Sequence, residues 1–181
     1  TAGDSIQSGG NFNTLIGTNA GTAITTGDSN VAVGRNALDA EVAGSLSVAV
    51  GVGTLTSQTN STATDVYNTA VGHAAGNQVT TGTQNTLIGG LNGDALTGGA
   101  VNVAVGYGAL TSDTLGSKSV ALGHTTLANQ NFTTATDSFN TAVGHSAGSA
   151  VTTARFNNLI GGLAGDALTT GNSNTAIGYN S

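Results

Sequence analysis

Apolar and polar residues alternate in short runs that end at a glycine, and the same run returns along the whole chain. Ten copies are present of a five-residue motif: Asn or Ser, a β-tolerant residue, a small residue or Leu, an aliphatic residue and Gly. Alternation over so few residues, interrupted by glycine, is typical of short strands rather than helices. The motif glycines are Gly17, Gly34, Gly51, Gly72, Gly89, Gly106, Gly123, Gly144, Gly161 and Gly178.

The spacing of these glycines predicts the architecture. Most intervals equal that from Gly17 to Gly34, seventeen positions, whereas the intervals that begin at Gly51 and Gly123 are four positions longer. The pattern TATD-x-x-NTAVGH at 62–73 recurs at 134–145. Helical solenoid repeats are longer and show a helical period, so these repeats favour strands. We therefore predict that residues 1–181 form one all-β domain, a parallel β-solenoid of ten 17-residue or 21-residue coils, expected to be a segment of a longer fibre.

Two motif positions predict how the coils stack. The first position is Asn in eight coils and Ser in the other two, at Ser47 and Ser119. Stacked amide side chains can form a ladder that satisfies turn backbone and fixes register, and we expect that structural role here rather than a row of ligand sites. The closing glycine predicts either a positive φ angle or a close approach between backbones.

Two further positions vary together in size: the third motif position and the residue four places after the motif glycine. Where one side chain is large the other is small, which predicts that both lie inside the coil. Leu15 in the third motif position goes with Gly21, whereas Ala32 goes with Leu38. Close-packed residues that touch must compensate in this way. Two coils are small in both columns, and there a valine is expected to fill the space: Val79 beside Gly76 and Val151 beside Gly148.

The second and fourth motif positions then point outwards, although they are largely apolar. Strands that are aliphatic on both faces are buried on both, and one thin coil cannot cover its own outer face. We therefore expect a homo-oligomer, and a homotrimer around a three-fold axis fits an elongated rod best. The residues expected at its interface are Val31, Val33, Val48, Val50, Val71, Val103, Val105, Val120, Leu122, Val143, Ile160 and Ile177.

Composition and charge exclude several other roles. Only 7% of the residues are charged, which is unlike an ordinary enzyme domain. The net charge of −6 disfavours nucleic acid and anionic membranes as partners. The chain has no cysteine for a disulfide or thiolate site, and no apolar run long enough to insert into a membrane.

Several motifs resemble known fibre repeats. SVAVG at 47–51 and SVALG at 119–123 resemble the head repeats of trimeric autotransporter adhesins, the YadA-like family. NVAVGRNAL at 30–38, NTAVGHAAG at 68–76 and NVAVGYGAL at 102–110 resemble repeats of phage tail fibres. The resemblance covers about residues 13–181 and implies a trimer of left-handed parallel β-rolls. The repeat period is longer than that of adhesin heads.

The function expected from this resemblance is structural and adhesive. A bacteriophage tail fibre, part of a virion and involved in host attachment, is the first hypothesis, with a host-surface glycan or protein as partner. The alternative is the head of an adhesin on a bacterial surface, which is also extracellular. An ice- or glycan-binding solenoid is a third possibility, although the Thr-Thr pairs skip coils and form no regular array.

No feature of the sequence predicts an enzyme or a cofactor. His73, His124 and His145 follow motif glycines, in a column whose other members vary widely and include Thr, Arg and Tyr. Such variability is typical of a solvated face, and no nucleophile or carboxylate recurs at a fixed offset from these histidines. The apolar hexapeptide unit of solenoid acyltransferases occurs at Ile16 but does not recur at the next hexapeptide step.

Two aspartates are weak candidates for a metal site. Asp94 and Asp166 lie in GGLNGDAL and GGLAGDAL, which partly match the calcium-binding nonapeptide of β-rolls. That motif needs tandem copies, because calcium is shared between adjacent turns, and these two copies lie four coils apart. A role in turns is the preferred interpretation.

The two longer coils are the predicted sites of receptor contact. Their additional residues fall within 56–67 and 127–139, and insertions in a solenoid form loops on one face that often binds. Phe132 belongs to no motif column, so we expect its side chain to be exposed. The predicted contact residues are Phe132, Thr133, Thr134, Thr136, Ser61 and Thr62.

Overall fold

The computed structural model describes residues 1–181 as an all-β parallel solenoid of about ten turns. One ten-stranded sheet runs along it in the order β1-β2-β4-β6-β7-β8-β10-β12-β13-β14, and β3-β5 and β9-β11 form two smaller sheets. No helix capable of crossing a membrane is present. The strands are β1 Thr14–Ile16, β2 Val31–Val33, β3 Gly44–Ser45, β4 Val48–Val50, β5 Thr64–Asp65, β6 Thr69–Val71, β7 Thr86–Ile88, β8 Val103–Val105, β9 Gly116–Ser117, β10 Val120–Leu122, β11 Thr136–Asp137, β12 Thr141–Val143, β13 Asn158–Ile160 and β14 Thr175–Ile177.

The register places equivalent motif residues next to each other in every pair of neighbouring strands. Thr14 pairs with Val31, and Val48 pairs with Thr69 across the first of the longer intervals. A motif position therefore forms a continuous column along the solenoid, as the repeats predicted. Most coils contain no second strand beside the motif strand. Only four such strands occur, in two pairs, and elsewhere turns connect the coils through backbone bonds such as that from Gly21 N–H to Ala37 O at 2.9 Å.

The third motif position faces the core, as predicted. Its residues are fully buried in coils two to nine, and Leu15 and Ala176 pack against the same core at the ends. A Cβ added at Gly93 would lie 2.9 Å from Cδ2 of Leu87, and one added at Gly76 would lie 2.8 Å from Cδ1 of Leu87. These glycines therefore leave the space that the leucine fills, both in its own coil and in the preceding one.

The residue three positions after each of these glycines also fills part of the space that the glycine leaves. Gly76 also lies beside Val79, and Gly93 beside Leu96, since an added Cβ would be 3.2 Å and 3.0 Å from these side chains. The predicted filling by Val79 is thus confirmed, and Val151 does the same beside Gly148. In coils that carry Leu in place of this glycine, a polar residue stands three positions later: Glu41, Gln58, Asp113 and Gln130.

The motif glycines pack directly against one another. Gly106 has a φ of +131°, and a Cβ on it would lie 2.6 Å from the carbonyl carbon of Gly123 in the next coil. A real Cβ cannot approach a backbone atom so closely. Both predicted reasons for the glycine, the positive φ and the close backbone approach, therefore hold.

Candidate functional site

The outer face of the large sheet is apolar and uncovered. Every residue predicted at an oligomer interface lies on it, and none of them is buried. Large aliphatic side chains remain accessible along its length, with Val71 at 36%, Ile88 at 39% and Ile160 at 41%. The alternation of inward and outward positions that the sequence predicted is confirmed for this sheet.

A column that the sequence analysis missed lies beside this face. The residue before each motif Asn or Ser has a positive φ in all ten coils, although none is glycine. A pattern search for strands overlooks it, because the position lies outside the five-residue motif and varies in type. Six members are large exposed apolar residues: Phe12, Leu46, Tyr67, Val101, Phe139 and Phe156.

The asparagine column is a structural ladder that is buried in all coils except the first and the last. Asn30 donates from Nδ2 to Gly44 O at 2.9 Å, and its Oδ1 accepts from the backbone N–H of Ser47 at 3.0 Å. Asn102 makes the same two contacts, with Gly116 O and the N–H of Ser119. Since both ends of the amide are used inside the protein, the predicted ladder is confirmed, and its polar atoms are not free to hold a ligand.

A buried carboxylate organises the first longer coil. Oε1 of Glu41 accepts backbone N–H groups from Val42, Gly44 and Asn60 at 2.8–3.0 Å. Its Oε2 accepts from Nε2 of Gln58 at 2.8 Å and from Nδ2 of Asn60 at 2.9 Å. A buried charge is tolerated only when it is satisfied in this way. These contacts connect the longer coil to the rest of the solenoid.

Asp113 occupies the equivalent place in the second longer coil. Its Oδ1 accepts from the N–H groups of Gly116 and Phe132, both at 3.0 Å, and its Oδ2 accepts from Gln130 at 2.6 Å. Burial raises the pKa of this carboxyl above its usual value of 3.8, and the hydrogen bonds, that from Gln130 first, act in the opposite direction. Asp113 is therefore a structural group rather than an exposed site.

The prediction that Phe132 is exposed is wrong. Its relative accessibility is 6%, and its backbone N–H is bound to the buried carboxylate of Asp113. Asn60, its counterpart in the first longer coil, is held in the same way by Glu41. A residue outside the motif columns thus takes its position from a carboxylate in the preceding coil, a contact that the repeat pattern does not reveal.

The other predicted contact residues lie in short loops. Ala43 bonds Asn60 O while Gly44 pairs with Thr64, so residues 61–63 form the loop of the first longer coil. The bond from Leu115 to Phe132 O and the pairing of Gly116 with Thr136 define the equivalent loop at 133–135. Ser61, Thr62, Thr133 and Thr134 are exposed, and Thr136 is half-buried.

One polar groove opens beside the second loop, and it is the only cavity of the structure. It measures about 410 Å³ and is lined by Ser117, Ala135, Thr136, Asp137 and Arg155. Nζ of Lys118 binds the Asp137 carboxylate at 2.7 Å. Nε of Arg155 donates to the Asp137 carbonyl at 2.9 Å. Of the predicted contact residues, the structure brings Thr136 into this groove.

Two stacked rings lie beside the groove. The rings of Phe139 and Phe156 are 5.8 Å apart, with Lys118 5.2 Å from the first ring and Arg155 4.7 Å from the second. The sequence analysis singled out none of these four residues. A signal was present, because a shift of four coils matches Arg155 with Thr83 while the surrounding Ser, Ala, Thr and Asp are unchanged.

The remaining candidates are the histidines that follow the motif glycines and the two aspartates of the partial calcium motif. His124 stacks between Tyr107 and His145, at 5.5 and 5.2 Å, and all three residues are exposed. Asp94 accepts a hydrogen bond from Thr111 at 2.5 Å. Neither Asp94 nor Asp166 belongs to a group of three or more His, Cys, Asp or Glu residues that could hold a metal ion.

Comparison with known proteins identifies no match to this chain. The chain matches none of the protein-family models, curated proteins or solved structures with which it was compared.

Proposed function

We propose that this chain is a structural and adhesive segment of a trimeric extracellular fibre, first of all a bacteriophage tail fibre involved in host attachment. The observation that carries the proposal is the uncovered apolar face of the ten-stranded sheet. Strands about 4.8 Å apart give this face a length of roughly 45 Å. An apolar stripe of that length is more than a soluble monomer normally exposes.

A homotrimer covers this face most simply. Each strand presents only two outward side chains, as Val103 and Val105 do in β8, so the face is narrow. Three narrow faces can converge on one axis parallel to the solenoid, and each chain then buries the same surface. The exposed residues before the motif, such as Tyr67, would lie at the edge of the contact and remain accessible to solvent.

The repeats also support the coil lengths, the handedness and the setting of the proposed fibre. Pairing of Thr14 with Val31 and of Val48 with Thr69 supports 17-residue and 21-residue coils. Left-handed coils follow from the resemblance to β-roll repeats. The NVAVGRNAL and NVAVGYGAL repeats support a tail fibre as the setting, while SVAVG and SVALG favour an adhesin head as the second candidate.

Adhesion is assigned to the loops of the longer coils. Four coils separate the loops at 61–63 and 133–135, which places them about 19 Å apart along the axis. A trimer would present six such loops to a host-surface glycan or protein. Several weak contacts made together can hold far more firmly than one, because binding of the first raises the effective concentration of the others.

The assembly face is tested by a pair of matched substitutions. Val105→Asp places a charge on the outer face of the sheet, whereas Tyr107→Asp places it in the exposed column after the motif glycine. We expect Val105→Asp to dissociate the assembly in sedimentation velocity and Tyr107→Asp to leave it intact, with circular dichroism showing that both remain folded. An undiminished assembly of Val105→Asp would contradict the proposal.

A further inference from the structure

One groove collects two of the three basic residues of an acidic chain. The sequence has three Lys and Arg residues against nine Asp and Glu residues. Arg155 lines the groove beside the 133–135 loop, and Lys118 binds the Asp137 carboxylate of the same groove. Because Lys118 compensates Asp137, the charge of Arg155 remains available to a ligand.

Arg155 is held in place and still has hydrogen-bond donors to offer. Its Nε donates to the Asp137 carbonyl at 2.9 Å, and its guanidinium lies 4.7 Å from the centre of the Phe156 ring. Its two terminal nitrogens donate to no group of the protein. A planar guanidinium fixed in this way presents two parallel N–H groups, which is the geometry that binds a carboxylate or phosphate.

The surroundings of Arg155 suit a sugar. Four of the five lining residues are polar or charged, with hydroxyls from Ser117 and Thr136 and a carboxylate from Asp137. Such groups exchange hydrogen bonds with sugar hydroxyls, and they disfavour an apolar ligand. Phe139 and Phe156 remain 47% and 46% accessible beside them, and such flat apolar rings can pack against the C–H face of a sugar.

The first half of the chain provides a natural comparison. Four lining residues are unchanged four coils earlier, at Ser45, Ala63, Thr64 and Asp65, yet no groove is found there. Asp65 there accepts a hydrogen bond from the hydroxyl of Tyr67 at 3.4 Å instead of binding a lysine. The differences are the residues that would recognise an anion and a ring: Thr83 in place of Arg155, Leu46 in place of Lys118 and Gln84 in place of Phe156.

We infer that the groove beside the 133–135 loop binds an acidic saccharide, with its carboxylate or phosphate on Arg155 and its ring packed beside Phe156. The inference rests on the proposed adhesive function and names the class of its ligand. The overall charge of −6 does not prevent such binding, since charges more than about 8 Å away are largely screened at physiological ionic strength.

The test measures binding of the full chain to three immobilised polysaccharides. An oligogalacturonate carries carboxylates, a phosphomannan carries phosphates, and dextran is neutral. Arg155→Thr introduces the residue of the first half, and Arg35→Thr removes the same charge from an exposed position in the second coil. We expect at least one acidic polymer to bind, dextran not to bind, and Arg155→Thr to weaken binding about tenfold or more while Arg35→Thr leaves it unchanged.

The outcomes separate the two proposals when the mass of the assembly is measured on the same samples. The polymer that binds identifies the anion as carboxylate or phosphate. Binding of neither acidic polymer, equal binding of dextran, or equal loss with Arg35→Thr would overturn the ligand assignment, while an intact trimer would leave the fibre proposal standing. A single-chain mass with Arg155-dependent binding would overturn the fibre proposal and leave the groove assignment standing.

Discussion

The side-chain amide of Gln58 joins Ser47 to Asn68 where the asparagine ladder would otherwise be interrupted. Its Nε2 donates to Oγ of Ser47 at 3.0 Å, and its Oε1 accepts from Nδ2 of Asn68 at 2.9 Å. A serine side chain is too short to act as an asparagine does, and the intervening coil is longer. Gln130 bridges Ser119 and Asn140 in the same way. Each motif serine is thus paired with a glutamine of a longer coil, and together they continue the ladder.

Removing this bridge should destabilise the fold. Gln58→Ala leaves Ser47 without its side-chain partner, and it takes one donor from Glu41 and one acceptor from Asn68, all of them buried. Unsatisfied buried groups cost about 1–3 kcal/mol each, so we expect a loss of about 3 kcal/mol in the free energy of unfolding. Chemical denaturation measures it. Gln78→Ala, at an exposed glutamine, is the control, and an equal effect of the two changes would contradict the assigned role.

The exchange of volume between columns predicts unequal effects of two glycine substitutions. Gly93 and Gly108 both have a left-handed φ, at 53° and 62°, so alanine adds a similar backbone cost of about 1 kcal/mol at either site. A Cβ at Gly93 would meet Leu87 and Leu96 at 2.9 and 3.0 Å, whereas at Gly108 its nearest neighbour is 3.6 Å away. Gly93→Ala should therefore cost about 1–3 kcal/mol more. Thermal unfolding compares them, and equal losses would refute the packing argument.

Asp113 should make stability depend on pH in a defined direction. Burial raises the pKa of its carboxyl above 3.8, so the folded chain binds this proton more readily than the unfolded chain. Ionisation of Asp113 therefore lowers the free energy of unfolding as the pH rises from about 3.8 through the raised pKa. Asp113→Asn cannot ionise at this position, so it does not show this loss.

Urea denaturation of both proteins at a series of pH values measures this contribution. The advantage of the parent chain over Asp113→Asn should be largest below pH 3.8 and should decline as the pH rises. A difference that stays constant, or that grows with pH, would contradict the assignment. The two proteins differ only at this side chain, so the comparison isolates its contribution.

The sequence predicted the features whose residue types repeat and missed those whose residue types vary from coil to coil. Motif periodicity was enough to predict the register, the inward third position and the packed glycines, because each recurs in every coil. The sequence does not predict the burial of Phe132, because that burial depends on Asp113, and only two coils carry a carboxylate in this column, at Glu41 and Asp113. The groove at Arg155 depends on differences between the two halves, at Lys118, Arg155 and Phe156, which a search for common features does not detect.

The mass of the assembly in solution shows directly whether three chains bury the outer sheet face together. One chain weighs 17.4 kDa, and sedimentation equilibrium at micromolar concentration gives the mass of the assembly without assuming its shape. We expect a mass three times that of one chain, and we expect Val105→Asp to abolish this assembly. A mass of two chains would contradict the three-fold arrangement, and a stable monomer of 17.4 kDa would contradict the burial of the outer sheet face altogether.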